Sequence, residues 1–132
     1  MTQEEEKNLL LKDLCSRLPY GVRYRHFTWN DEYGEIYIVA RIYSINTDGY
    51  VKNCYDDETV YIDNVRPYLF PLSSMTEEQK KEYQYITERW MNDPAYSISD
   101  SIDWLNKNHF DYRGLIEKGL ALEASEEMYK TE

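Results

Sequence analysis

Five consecutive residues, His109-Phe110-Asp111-Tyr112-Arg113, carry the densest chemistry in the sequence. An imidazole to move a proton, a carboxylate to orient it and a guanidinium to clamp an anion would give His109, Asp111, Tyr112 and Arg113 the parts of a small hydrolase or transferase site. The spacing favours a plainer role, because catalytic groups usually converge from separate segments. A histidine at a helix C-terminus answers the negative end of the dipole, and Asp111 with Arg113 can fasten a turn. Other covalent or metal chemistry has little support. Neither Cys15 nor Cys54 has a basic neighbour to lower its thiol pKa; Cys15 is expected on the buried stripe of a helix and Cys54 in a strand. The two histidines match no zinc spacing. Asp56-Asp57-Glu58 alternates in direction and lacks the spacing of a calcium loop, so it reads as a solvated turn. No glycine-rich phosphate loop is present. No cofactor, metal or catalytic site is therefore expected.

A second constellation is basic and aromatic. If the hairpin Val22–Ile45 is symmetric about Glu32, Phe27 lies opposite Tyr37, Arg25 opposite Val39 and Arg23 opposite Arg41. Opposed residues share a face, so Arg23, Arg25, Tyr37, Arg41 and Tyr43 point together, and Lys52 joins them if the next turn has two or four loop residues. Like charges directly across a strand pair cost up to about 1 kcal/mol, so something acidic should compensate. That is either a ligand phosphate or acidic partner, with tyrosines as stacking platforms, or an internal carboxylate such as Asp63 with the tyrosines packed under a helix.

A third is acidic. Glu77, Glu78, Glu82, Glu88 and Asp93 along one helix would mimic a phosphate backbone and block a nucleic-acid enzyme. Lys80, Lys81 and Arg89 break that stripe, and acidic helices are usually soluble faces. Tyr85 points away from the Tyr83–Ile86–Trp90 side, where it is available for a partner or dimer contact.

The elements that must hold these groups follow from hydrophobic period. The chain has 132 residues, with 14 Tyr, 3 Trp and 3 Phe, enough apolar surface for one domain and too much for disorder. The net charge of −10 argues against a general nucleic-acid binder. No apolar run reaches membrane-spanning length, the opening MTQEEEK is not a signal peptide, and two cysteines make no disulfide framework, which predicts a cytoplasmic protein with no membrane contact.

Residues 1–18 read as a helix. Thr2 and Glu5 make a capping-box pattern, Leu10, Leu14 and Leu18 form an apolar stripe flanked by Leu11 and Cys15, and Pro19 pushes Leu18 out of helical geometry. Residues 20–65 switch to a period of two: strands at 22–27, 36–45, 50–55 and 59–65, joined by turn chemistry at Asn30–Gly34, Asp48-Gly49 and Asp56–Glu58. Consecutive hairpins predict a four-stranded antiparallel meander, curled into a small barrel or a bent sheet. Residues 66–75, with Pro67 and Pro71, read as an extended connector pinned by Tyr68, Leu69, Phe70 and Leu72, and not as a central strand. Residues 76–124 are expected to be helical. A capping box at Thr76 and Gln79 opens one helix. Ser97 or Ser99 caps a second, whose stripe runs Ile98, Ile102, Leu105, His109. A final helix or turn spans Leu115 to Lys118, ended by Gly119. The polar residues 125–132 are expected to fray. The fold class is α+β in a single domain.

Three blocks carry a resemblance: Leu9–Val22, Val65–Thr76, and Asp103–Asn106 running into His109–Ile116. They resemble a family of short acidic proteins encoded in gut-bacterial genomes, their prophages and other mobile elements. That family has no assigned activity or site residues, so the resemblance implies a setting only: a small cytoplasmic accessory protein. With exposed tyrosines beside arginines, the sequence points to a non-enzymatic protein-interaction domain with a protein partner, a homodimer being one such case. The alternative is an acidic decoy or inhibitor of a nucleic-acid enzyme; an enzyme built on His109 and Asp111 comes third.

Overall fold

The computed structural model describes residues 1–53 and 59–130 of the 132. The first helix, α1 (Gln3–Arg17), starts where Thr2 Oγ1 accepts from the Glu5 amide at 3.1 Å. Its inward face is Leu10, Asp13, Leu14 and Arg17, not the all-leucine stripe expected, and Cys15 is exposed. Asp13 and Arg17 neutralise one another, so they can occupy positions a hydrophobicity pattern assigns to apolar side chains. Pro19 does not expel Leu18 from helical geometry. Leu18 stays at φ −52°, ψ −44°, and the chain runs through a 3₁₀ turn, Leu18–Tyr20, before it stops. The stop is Gly21, at φ +72°, where a Cβ would also meet Arg41 Cδ at 3.2 Å.

Four strands follow in the order β1 (Arg23–Asn30), β2 (Gly34–Ile45), β3 (Tyr50–Asn53) and β4 (Thr59–Tyr61), each antiparallel to the next. Asn30 Oδ1 closes the first turn by accepting from the Glu32 and Tyr33 amides, and Asn46 Oδ1 closes the second through Asp48 and Tyr50. The inner face supplies Val22, Tyr24, Ala40, Ile42 and Val51 to a core shared with Leu10 and Leu14 of α1. A register shift between Ile42 and Ser44 bends the sheet. It does not close into a barrel: β1 and β4 remain edges, with a cleft of about 360 Å³ between residues 25–27 and 59–61. The fourth strand ends at Tyr61, short of the expected Val65. The Ile62 amide donates to Gly49 O at 2.8 Å, and Ile62–Asn64 turns as a 3₁₀ element. The Asp56–Glu58 turn and the end of the third strand at Tyr55 lie outside the described residues.

The connector is the main departure. Tyr68–Pro71 is a strand, β5, and it is the middle of a second, parallel sheet between β6 (Phe110–Asp111) and β7 (Leu122–Glu123). Its prolines cost no ladder bond, because Pro67 contributes only its carbonyl, to the Leu122 amide at 2.8 Å, and Pro71 is the strand's last residue. Between them, Leu69 O accepts from Ala124 N and the Phe70 amide donates to His109 O. Leu69 is buried, whereas Leu72 is exposed and pins nothing.

Helices α2 (Glu77–Asn92) and α3 (Ile98–Lys107) pack together, with capping boxes at Thr76–Gln79 and Ser97–Asp100. Trp90 Nε1 donates to Ser101 Oγ at 2.8 Å across the pair. Trp104, Leu105 and Phe110 form a second small core with Phe70, Tyr83 and Ile86 around it. The α3 stripe is shorter than expected: Ile98 is exposed in the first turn, and His109 lies past the helix end at φ +62°. Gly119 does end the 115–118 turn, at φ +75°, with its amide on Ile116 O. Residues 125–130 differ from the fraying expected of them. Tyr129 accepts from the Arg23 amide at 3.0 Å and donates to Tyr68 O at 2.7 Å, tying the chain end across both sheets. One aromatic anchor outweighs the polar composition around it.

Candidate functional site

The register of β1 on β2 fixes the surface. Arg23 pairs with Arg41, Arg25 with Val39, Phe27 with Tyr37 and Trp29 with Glu35. With Tyr24, His26 and Ala40 buried on one side, period two sends the alternate residues outward. Phe27, Trp29, Tyr37, Val39 and Tyr43 lie there with 43–71% of their surface exposed, and no helix covers the tyrosines. Tyr33, in the turn, is 73% exposed. Phe27, Trp29 and Val39 are the members that a reading limited to charged residues and tyrosines omits. Carrying the alternation two residues beyond Phe27, to the turn-forming Asn30, finds Trp29.

Arg25 is held between two rings. Its guanidinium carbon lies 5.5 Å from the Phe27 centroid and 5.6 Å from that of Tyr37, and the rings meet edge-on at 6.0 Å. Each such contact contributes about 0.5–1 kcal/mol at an exposed site. Its guanidinium N–H groups make no hydrogen bond among the described residues, while its backbone amide donates to Arg66 O at 3.3 Å. Tyr68 borders this group. Burial pushes its hydroxyl pKa upward, Arg25 nearby pulls it down and Tyr37 pushes it up again.

Arg23 is differently employed. Its Nη1 donates to Met128 O at 2.6 Å and its guanidinium lies 5.6 Å from the Tyr129 ring, so it fastens the chain end. Arg41 and Tyr43 are exposed at the middle of the face, and Lys52 is exposed on β3 opposite Ser44. Of the expected surface, Tyr37, Arg41, Tyr43 and Lys52 are exposed together and Arg25 is half-buried among them; Arg23, also half-buried, sits at the margin.

The His109–Arg113 cluster is not convergent in the same way. Asp111 accepts the Leu115 and Ile116 amides, each at 2.9 Å, and so caps the turn that follows. Tyr112 donates to Asn106 Oδ1 at 2.9 Å. Arg113 reaches back to α1, donating to Asp13 Oδ1 at 2.7 Å. His109 is buried and stacked on Tyr129, centroids 3.7 Å apart and planes 14° from parallel. These groups join α1, β6 and the chain end.

The acidic helix is likewise committed in part. Glu77 pairs with Lys80, Glu88 accepts from Gln84, Glu82 accepts from Trp104 Nε1 and Asp93 from the Ala95 amide. Tyr85 is 65% exposed, with Arg89 beside its ring. Cys54 lies outside the described residues. Among the described residues, no group of three or more His, Cys, Asp or Glu could hold a metal ion, and no helix is long and apolar enough to cross a membrane. No protein-family model matches the chain, and neither a curated protein nor a solved structure matches it significantly.

Proposed function

We propose that this chain is a non-enzymatic protein-interaction domain, an accessory protein of phage or mobile-element origin acting in the cytoplasm, whose contact surface is the outer face of β1 and β2. The carrying observation is the cluster Phe27, Trp29, Tyr37, Val39 and Tyr43, outward on one hairpin. With aromatic side chains presenting 150–250 Å² each when fully open, these exposures and Tyr33 leave roughly 600–700 Å² of contiguous face. That exceeds the patch typical of a monomer and approaches the ~800 Å² each partner contributes to a standard interface. Aromatic residues and arginine are also the types that dominate binding energy at such surfaces. Sequence resemblance supports the setting, and the pattern of hydrogen bonds around His109 and Asp111 supports a structural role for that cluster.

The test is affinity capture of the full chain from a host carrying this gene, comparing wild type with Trp29→Ala and Tyr37→Ala. A partner retained by wild type and lost in both folded variants is expected. Capture unchanged by either substitution would remove this face as the contact surface.

A further inference from the structure

Resting on the reading of this face as a protein contact, we propose that its occupant is an extended acidic segment of another protein, with one carboxylate held by Arg25 and a second by Lys52. Arg25 is already arranged for such a ligand. Its planar fork is fixed between Phe27 and Tyr37, so little freedom is lost when a carboxylate accepts from it in bidentate fashion. Lys52, exposed with no ion pair among the described residues, supplies a second positive point.

The register sets the distance between them. Arg25 pairs with Val39, while Lys52 pairs with Ser44, five residues further along β2 and one strand beyond it. At ~3.3 Å per residue and ~4.8 Å between strands the two positions are roughly 20 Å apart, the reach of about six residues of extended chain. Such a segment crosses the face diagonally over Val39 and Tyr43, where its apolar side chains would rest.

Charge selects among occupants. A second copy placed face to face would bring only one carboxylate of this face, Glu35, against three cations, Arg25, Arg41 and Lys52. A nucleic-acid strand of that length carries a phosphate at every nucleotide and needs several cations along its path, while the whole chain bears −10. Two carboxylates on an otherwise apolar segment need only Arg25 and Lys52, because Arg41, the third cation of the face, already has a contact of its own.

The probe is an acetylated seven-residue peptide with glutamate at each end of a threonine–valine repeat, titrated calorimetrically into the full chain. A lysine-ended version and a single-stranded oligothymidylate are the control arms. Binding of the glutamate peptide about tenfold tighter than the lysine peptide, lost to a similar degree in Arg25→Glu and in Lys52→Glu, is expected. Equal binding of both peptides, tighter binding of the oligonucleotide, no binding of the glutamate peptide, or concentration-dependent self-association through this face overturns the inference. If Trp29→Ala abolishes capture of a host partner while Lys52→Glu does not, the acidic ligand is wrong and the aromatic contact stands.

Discussion

Asp13 and Arg17, one turn apart on α1, form an ion pair at 2.8 Å in which neither side chain reaches solvent. The pair is not isolated. Asp13 also accepts from Arg113 at 2.7 Å, Arg17 Nη2 donates to Phe110 O at 2.6 Å, and both guanidinium groups lie against the Tyr112 ring. One carboxylate thus joins the first helix to the β6 loop nearly a hundred residues away.

Removing that carboxylate leaves a buried, uncompensated guanidinium. Asp13→Ala is expected to lower unfolding stability by about 3–5 kcal/mol, measured by denaturant titration. Asp13→Ala combined with Arg17→Met should cost less than the single change, since the double variant strands only Arg113, which unlike Arg17 keeps 15% of its side chain in solvent. A double variant as unstable as the sum of its parts would show that the two residues act independently.

Tyr129 offers a second check on long-range ties. Its hydroxyl accepts from Arg23 N and donates to Tyr68 O. Tyr129→Phe keeps the stack on His109 but leaves one amide and one carbonyl without that partner, at a cost of about 1–3 kcal/mol. Amide exchange at Arg23 should accelerate in the variant, whereas exchange in α2 should not change. Equal protection of Arg23 in both proteins would mean the hydroxyl bridge is dispensable.

How much of this was legible follows from the range of the interactions. The Phe27–Tyr37 and Arg25–Val39 pairings could be read from one symmetric turn, because register in a hairpin is a local property. The caps at Thr76 and Ser97 are local too. The parallel sheet was not legible: β5, β6 and β7 are two to four residues each, and β5 pairs with residues 40 and 54 positions away. Proline suggested a connector because the rule concerns missing N–H donors, while Pro67 serves through its carbonyl. The buried faces of Asp13 and Arg17 were hidden for the same reason, since each alone looks solvated and only the pair, completed by Arg113, can be interior.

Tyr68 provides the pH dependence. Burial raises its hydroxyl pKa above the ordinary 10, so the folded state holds that proton more tightly than the unfolded chain. The corresponding stability is complete below pH 10 and is lost as pH climbs through the folded value. Relative to Tyr68→Phe, which cannot ionise, wild type should therefore lose stability as pH rises above 10 in paired denaturation curves. Replacing Arg25 with Ala removes the one neighbour that favours the phenolate, and should move the loss to still higher pH. A difference between the two proteins that is flat across this range would contradict the placement of Tyr68.

The outer face of the hairpin separates binding from folding. Trp29 and Tyr37 are 71% and 60% exposed, so truncating them opens no cavity and leaves no buried polar group alone. Trp29→Ser should change unfolding stability by less than about 0.5 kcal/mol, and Tyr37→Ser, which gives up its contacts with Arg25 and Phe27, by about 1 kcal/mol. Leu69→Ala, in the fully buried middle of β5, should cost about 2–5 kcal/mol by comparison. Large aromatic side chains kept on a surface at little gain to the fold are costly in solubility, which is why their near-neutrality in melting curves would point to binding. If Trp29→Ser destabilises the chain as severely as Leu69→Ala, the face is part of the core and the interaction surface must be sought elsewhere.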